Sequence, residues 1–306
     1  MKTICKFLIV ILFFSITTVY ADMIRDPGLE AAIREAIDKL YGPIYVEDLE
    51  GLTELKAWER GIADLTGLEY CTDLEELYLS GNEITKLSPL SQLVNLKELY
   101  LSRNEITKLS PLSRLVNLEE LRLGDNEITY ILPLSQLVNL EELYLSGNEI
   151  TDISPFSHLV NLKGLSLSEN EITDLSPLSQ LVNLEWLDLS HNEITYISPL
   201  SKLVNLEALW LRGNEITKLL PLSQLVNLEW LDLGWNEITY ISPLSKLVNL
   251  KRLELKNNTI SNIAPLVLNS GLSEGDIVYL MGNPLSRESI EVYIPRLKER
   301  GVIVEW

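Results

Sequence analysis

The side chains of this 306-residue chain that could make or break bonds are few: His158, His191, Cys5 and Cys71, set against 44 carboxylates. Two imidazoles could share a metal ion, a thiolate could attack an electrophile, and paired carboxylates could exchange a proton with a substrate. Each of these needs groups that converge where water is excluded. Convergence depends on the elements that carry the groups. Neither a glycine-rich phosphate loop nor a compact calcium loop of alternating Asp and Asn occurs.

A 22-residue period sets the elements. Blocks starting at Leu74, Leu96, Leu118, Leu140, Leu162, Leu184, Leu206 and Leu228 repeat LEELYLSGNEITKLSPLSQLVN almost letter for letter. A degenerate block spans 52–73, a longer one 250–274, and a partial one, GDIVYLMGNPL, 275–285. The pattern L-x-x-L-x-L-x-x-N-x-I-x-x-L is the leucine-rich repeat signature. Within 74–95, Leu77-Tyr78-Leu79 alternates as a short strand with both leucines inward. Asn82 follows where the chain must turn, its amide able to satisfy backbone groups of neighbouring coils. Ser88-Pro89 is expected to open a helical turn, with Ser as N-cap. Leu87, Leu90 and Leu93, three apart, suit a 3₁₀ turn. One coil cannot bury these leucines, so the coils must stack into a solenoid.

The open ends of such a core need covers. Asp26-Pro27 is expected to begin a helix whose Leu29, Ile33, Ile37 and Leu40 form an apolar stripe, stopped at Gly42. After Ser286, Ile290, Ile294 and Leu297 share a helical face that Pro295 should kink, and 302–306 should add a closing strand. The expected fold is therefore α/β: a leucine-rich repeat solenoid with a concave parallel sheet, convex 3₁₀ or helical turns and helical caps. Its parts are a leader over 1–21, an N-terminal cap over 22–51, repeats over 52–285 and a C-terminal cap over 286–306.

The leader is expected because Lys2 and Lys6 precede an apolar run over 7–19, and Val19 and Ala21 are small residues at the −3 and −1 positions of a cleavage site. The mature chain should be secreted or periplasmic and carry no anchor. Loss of Lys2 and Lys6 takes the formal charge from −19 to −21, which disfavours nucleic acid and favours a basic partner. Only Cys71 remains, so no internal disulfide is expected. Asn257-Asn258-Thr259 fits a glycosylation sequon, relevant only to a eukaryotic secretory route.

This frame separates the reactive groups. Numbered from the first leucine of each block, His158 stands at position 19 on the convex side and His191 at position 8 near the concave rim, while Cys71 takes the place of an inward leucine at position 20. Catalysis, a metal site and a cofactor are accordingly not expected. The glutamates at position 3 (Glu54, Glu76, Glu98, Glu120 and Glu142) and at position 10 (Glu83 through Glu237) read as a solvated rim. An acidic surface for a basic partner, or for loosely bound Ca²⁺, is the alternative.

Positions 3 and 5 point away from the core, onto the concave sheet. Trp186 and Trp230 occupy position 3 and Trp210 position 5, while Trp58 and Trp235 lie at the rim. Trp186, Trp210 and Trp230 are expected to cluster around a gap at Ala208, with Asp188 and Asp232 flanking Trp210. Tyr78, Tyr100 and Tyr144 form a row that Arg122 interrupts. Such aromatics with adjacent charges suit a binding hot spot, and cross-strand stacking is the other use they could have. Trp186, Trp210, Trp230 and Trp235 are the candidate anchors, with Arg122, Asp188, Arg212 and Asp232 as orienting polar groups.

The block LxxLxLxxNxIxxLSPLxxLxN over 52–285 resembles the bacterial 22-residue repeats of the internalin type. The resemblance implies a curved parallel-sheet solenoid whose concave face binds host proteins, with aromatic side chains prominent. It carries no fixed binding motif across, only the face. The sequence departs from the family in having no immunoglobulin-like module and no cell-wall sorting signal after the C-terminal cap, so surface anchoring is not expected. The expected function is non-catalytic protein recognition through the concave face. Stacking of the aromatic cluster on a glycan is the alternative, and self-association through the same patch a third reading.

Overall fold

The computed structural model of the chain describes residues 23–306, so the leader expected over 1–21 lies outside the described residues. From Glu54 onward the backbone winds as a solenoid whose strands form one 12-stranded sheet, parallel throughout and in chain order. The strands are β1 (Glu54–Lys56), β2 (Glu76–Tyr78), β3 (Glu98–Tyr100), β4 (Glu120–Arg122), β5 (Glu142–Tyr144) and β6 (Gly164–Ser166). They continue as β7 (Trp186–Asp188), β8 (Ala208–Trp210), β9 (Trp230–Asp232), β10 (Arg252–Glu254), β11 (Ile277–Tyr279) and β12 (Ile303–Glu305). The 22-residue register is kept, with Leu77 opposite Leu99 and Leu187 opposite Leu209.

Each coil contributes a column of inward side chains. In the coil over 74–95 these are Leu74, Leu77, Leu79, Ile84, Leu87, Leu90 and Leu93, all fully buried, and the same positions are buried down the array. The three-residue strand is short because the chain must leave the sheet soon after its second inward leucine to close the coil. On the far side 3₁₀ turns such as Ser88–Gln92 and Ser176–Gln180 bring three leucines inward at the expected spacing. The serine does not cap them. Leu87 must point inward, so the turn begins behind it: Leu90 N–H donates to Leu87 O at 3.0 Å, and Ser88 lies inside the turn with no side-chain cap. Where position 13 is aspartate, that residue takes the capping role. Asp152 and Asp174 Oδ1 accept from Ser154 and Ser176 N–H at 2.8 and 2.9 Å.

The caps follow the sequence with two corrections. Helix α1 (Pro27–Ala36) is capped by Asp26, whose Oδ1 accepts from Gly28 and Leu29 N–H. Its Oδ2 accepts from Ala63 N–H at 2.9 Å, which ties the cap to the first coil. Leu29 and Ile33 are buried, but the helix ends at Ala36 and leaves Leu40 exposed, so the apolar stripe is shorter than expected. At the other end the helix Ala264–Leu268 (α2) lies in the lengthened coil. A π turn over Ser289–Tyr293 precedes α3 (Ile294–Glu299). Pro295 has no N–H to give, and Ile294 N–H reaches back to Ser289 O. The widened turn rotates Ile290 out to solvent, while Ile294 and Leu297 stay buried. β12 closes the sheet on β11, as the apolar 302–306 implied.

What lets the coils stack is a buried column of asparagine amides at position 9. Asn148 is representative: Oδ1 accepts from Ile128 N–H at 3.0 Å, and Nδ2 donates to Leu123 O at 3.1 Å and Leu145 O at 2.9 Å. One amide thus satisfies peptide groups of its own coil and of the preceding one. A second column stands on the outer surface at position 22, where the repeated asparagine carries no burial signal of its own. Asn95 Nδ2 donates to Thr72 O, and Asn117 and Asn139 Nδ2 donate to Val94 O and Val116 O at 2.9 Å.

The two columns differ in what water can replace. Asn148→Ala leaves Ile128 N–H buried without a partner and removes one of the two amide donors from Leu123 O and Leu145 O, which Asn126 and Asn170 still reach, and should cost on the order of 2 kcal/mol. Asn117→Ala frees a carbonyl that solvent can reach, and should cost less than about 1 kcal/mol. Urea unfolding of both variants beside the parent checks the ordering, and equal losses would contradict it.

The concave face as candidate recognition surface

The concave face is built from positions 3, 5 and 7 of successive coils, whose side chains cannot enter the core because positions 4 and 6 do. In its N-terminal half this face is internally satisfied. The hydroxyls of Tyr78 and Tyr144 donate to Glu76 and Glu142 on their own strands at 2.7 and 2.5 Å, and that of Tyr100 to Glu98 at 3.2 Å. Hydrogen bonding to Glu76 holds the Tyr78 hydroxyl well above its ordinary pKa. Burial first, and neighbouring glutamates next, do the same for Tyr100 and Tyr144. The position-3 glutamates are thus acceptors for side chains of this same face, more than a detached solvated rim. Trp58, Tyr78 and Tyr100 pack edge to face, with centroids 5.9 and 4.8 Å apart.

Arg122 bridges the tyrosine row instead of interrupting it. Its guanidinium lies 4.6 Å from the Tyr100 centroid and 4.5 Å from that of Tyr144, with Nε donating to Glu120 at 2.6 Å. The same unit recurs further along the face, where the lengthened block shifts the 22-residue count. Arg252 sits 5.0 Å from Trp230 and 4.9 Å from Tyr279, with Nη2 donating to Glu254 at 2.7 Å. Lys256 Nζ is 4.0 Å from the Tyr279 ring. Counting position 5 through the lengthened block to 275–285 would have placed Tyr279 in this row.

Between these two units lie the tryptophans, in a different arrangement from the single cluster expected. Trp186 packs on Tyr144 at 5.3 Å and covers Gly164, where a Cβ would collide with the indole. Trp210 packs on Trp230 at 5.7 Å. The small residues Gly164 and Ser166 leave room on one side of Trp186, and the ring takes it. The strand registers still set Trp186, Ala208 and Trp230 in one row and Asp188, Trp210 and Asp232 in the next. The result is a checkerboard with Ala208 as its hollow. Asp188 Oδ1 accepts from Ser190 N–H at 2.9 Å and Asp232 Oδ1 from Gly234 N–H at 2.8 Å, which fixes both carboxylates at the strand ends. Burial raises the Asp232 pKa, against the opposing pull of Gly234 N–H, Arg212 and Lys256.

The rim has its own constraint. Position 8 adopts left-handed backbone in every coil, with φ of 58° at Arg103, 54° at His191, 58° at Trp235 and 67° at Gly147 and Gly213. Trp235 is therefore a bulky residue held where glycine is easiest, and it is 53% exposed. Arg212 lies 5.8 Å from its ring. His158 ends the 3₁₀ turn Ser154–His158 on the convex side, so the two histidines do not meet. Cys71 is buried, and desolvation pushes its thiol up to about 12. Beside α1, a cavity of about 380 Å³ is lined by Glu35, Glu54, Lys56, Trp58 and Arg60. Its charges are paired as Arg60–Glu35 and Lys56–Glu54. Among the described residues no group of three or more His, Cys, Asp or Glu is placed to hold a metal ion, and no helix is long and apolar enough to cross a membrane.

Known proteins share this architecture. Residues 94–136, 138–180, 182–224 and 226–267 match the family model described as leucine-rich repeats (2 copies), and 73–93 match a single leucine-rich repeat. An internalin (inlF) of Listeria monocytogenes str. 4b F2365 is similar at 33% identity and a TM-score of 0.79, over 94% of this chain and 92% of its own. Internalin C2 of the same strain is 35% identical with a TM-score of 0.65, over 72% of this chain and 96% of its own. The functional domain of InlJ from Listeria monocytogenes, which includes a cysteine ladder, is 27% identical with a TM-score of 0.80, over 94% of this chain and 61% of its own. No curated protein matches by sequence.

Two substitutions test this geometry. Trp235→Gly should stabilise the fold by roughly 0.5–1 kcal/mol, because it relieves left-handed strain at the loss of a half-exposed ring. A lower urea midpoint would show that the indole packing outweighs the strain. Asp232→Asn keeps the acceptor for Gly234 N–H but removes the partly buried charge. Folding raises this carboxyl's pKa, so the folded state binds more protons than the unfolded one and wild-type stability falls as pH rises through that window. The variant should match the wild type below the unfolded carboxyl's pKa of about 4, gain on it as pH rises from there to the raised folded pKa, and keep a constant advantage above that. Denaturation midpoints across pH 3–8 check the sign.

Proposed function

The chain belongs to the leucine-rich repeat proteins of the internalin type, and from that premise we propose that it is an exported, non-catalytic module that recognises a protein through its concave face. The observation that carries this reading is the contrast between the two halves of that face. In the first, glutamates, tyrosines and Arg122 satisfy one another. In the second, indoles stand where earlier coils place glutamate, glycine or tyrosine, and Trp230 and Trp235 remain 41% and 53% exposed. Solvated indole is costly surface for a soluble protein to keep, and it is the side chain most enriched at binding hot spots.

Trp186, Trp210, Trp230 and Trp235 are the anchors in this reading. Asp188, Asp232, Arg212 and Arg122 set the orientation of the partner, and Tyr78, Tyr100 and Tyr144 extend the contact toward the N-terminal cap. The net charge of −19 supports a partner of basic character, whose encounter it would steer. Export rests on the leader-like residues 1–21. The open sheet supports recognition over catalysis, because it has no walls to exclude water around a reacting group.

Residues 22–306 and a Trp186/Trp210/Trp230→Ala variant, immobilised side by side, should differ when exposed to extracellular proteins. A partner retained by the parent and lost from the variant, with affinity that drops as salt rises, is the expected result. Circular dichroism and urea unfolding establish that the variant is folded. Equal retention by both would make the tryptophans a sheet-packing feature and remove the concave cluster from the site.

A further inference from the structure

The concave face repeats one chemical unit, a guanidinium held between two aromatic rings and bonded to a carboxylate. Arg122 with Tyr100, Tyr144 and Glu120 is one instance, and Arg252 with Trp230, Tyr279 and Glu254 is the other. Between them, four strands from Arg122 and two from Arg252, the rings and the carboxylates recur without the cation. Around Ala208 stand Trp186 and Trp230 on the neighbouring strands and Trp210 on the same strand, with Asp188 and Asp232 at the two remaining corners. Ala208 occupies position 3 of β8, as Arg252 does in β10, and its methyl group leaves that place unfilled.

The carboxylates there are held but not neutralised. Each spends one oxygen on a turn N–H, and among the described residues neither Asp188 nor Asp232 forms an ion pair. Arg212 and Lys256 act on Asp232, each from position 7 of its coil, with Glu254 opposing them, and Arg252, stacked on Trp230 and bonded to Glu254, feels the same carboxylate. Arg212 stands beside Trp235 and Lys256 is engaged by Glu254 and Tyr279, so neither fills the hollow. Neighbouring strands stand about 4.8 Å apart and alternate residues nearly 7 Å, so the diagonal between Trp186 and Trp210 is about 8 Å at the backbone. That is enough to admit one planar group between two ring faces.

We propose that this hollow receives an arginine side chain of the protein partner, which completes from outside the unit that Arg122 and Arg252 complete from within. The proposal rests on the concave face being the recognition surface and names the chemistry it selects. A guanidinium fits better than an ammonium, because it stacks flat on indole while its N–H groups fork to carboxylates. A second copy of this chain is a poor occupant, since a net charge of −19 on each copy opposes their approach.

The test uses residues 22–306 and the peptide Ac-Gly-Arg-Gly-Arg-Gly-amide, beside its uncharged counterpart with citrulline for arginine. Binding is followed by NMR at the indole Nε1–H groups. Saturable shifts at Trp186, Trp210 and Trp230 with the arginine peptide, and affinity about tenfold weaker with the citrulline peptide, are expected. Asp188→Asn with Asp232→Asn, which keeps both turn hydrogen bonds, should weaken the arginine peptide by a similar factor. Ala208→Arg should abolish the shifts by filling the hollow from within. Equal affinity for both peptides, or no change in the double Asn variant, overturns the cation while leaving protein recognition by the tryptophans standing. Shifts confined to groups outside the concave face overturn it too. If the triple tryptophan variant also keeps its partner, the concave reading falls with it.

Discussion

A coil that sends its leucines inward on both sides must turn between them, and the turn buries peptide groups that no strand or helix can satisfy. The position-9 asparagine meets this requirement. A single amide accepts from one coil and donates to two carbonyls, as Asn148 does toward Ile128, Leu123 and Leu145. Leucine burial supplies the larger favourable term but does not fix where one coil sits on the next. The amide column does, since each asparagine bonds across a coil boundary with directional geometry. InlJ is described as having a cysteine ladder. Here Cys71 is the one cysteine among the described residues, and the second asparagine column reinforces the coil boundaries.

With spacing settled by buried amides and leucines, the concave positions are released from structural duty, and their chemistry differs along the array. The N-terminal half resembles a closed circuit in which each tyrosine hydroxyl and the Arg122 guanidinium has an acceptor on its own strand. The middle coils place indoles beside aspartates that are held in position by backbone N–H groups and, among the described residues, form no ion pair. Gly164 contributes by absence: its missing Cβ lets Trp186 lean toward Tyr144, which separates it from Trp210 and leaves Ala208 uncovered.

Much of this was legible in the sequence, and the parts that were not share a cause. The period of 22, the seven inward positions, the asparagine column and the assignment of Trp186, Trp210 and Trp230 to the concave side follow from patterns that repeat in every block. What did not follow depends on neighbours across strands or on one local turn. The lean of Trp186 depends on residue 164, one coil away. The stacking of Arg122 needed both flanking tyrosines considered together as walls. The left-handed backbone at position 8 is hinted at by Gly81, Gly147 and Gly213, but Arg103, His191 and Trp235 at the same place obscure it. Helical spacing places Leu40 and Ile290 inward, but each escapes because its helix stops or widens one turn away.

The uniform register has a metrical consequence. Every coil advances the concave face by one strand spacing, about 4.8 Å, and blocks this alike can be gained or lost whole without disturbing the joints between them. The separation between the Arg122 unit, the Ala208 hollow and the Arg252 unit is therefore quantised. The solenoid works as a ruler, graduated in single strands, on which insertion or deletion of one block would move a pair of contact points by a fixed step and leave the chemistry of each point intact.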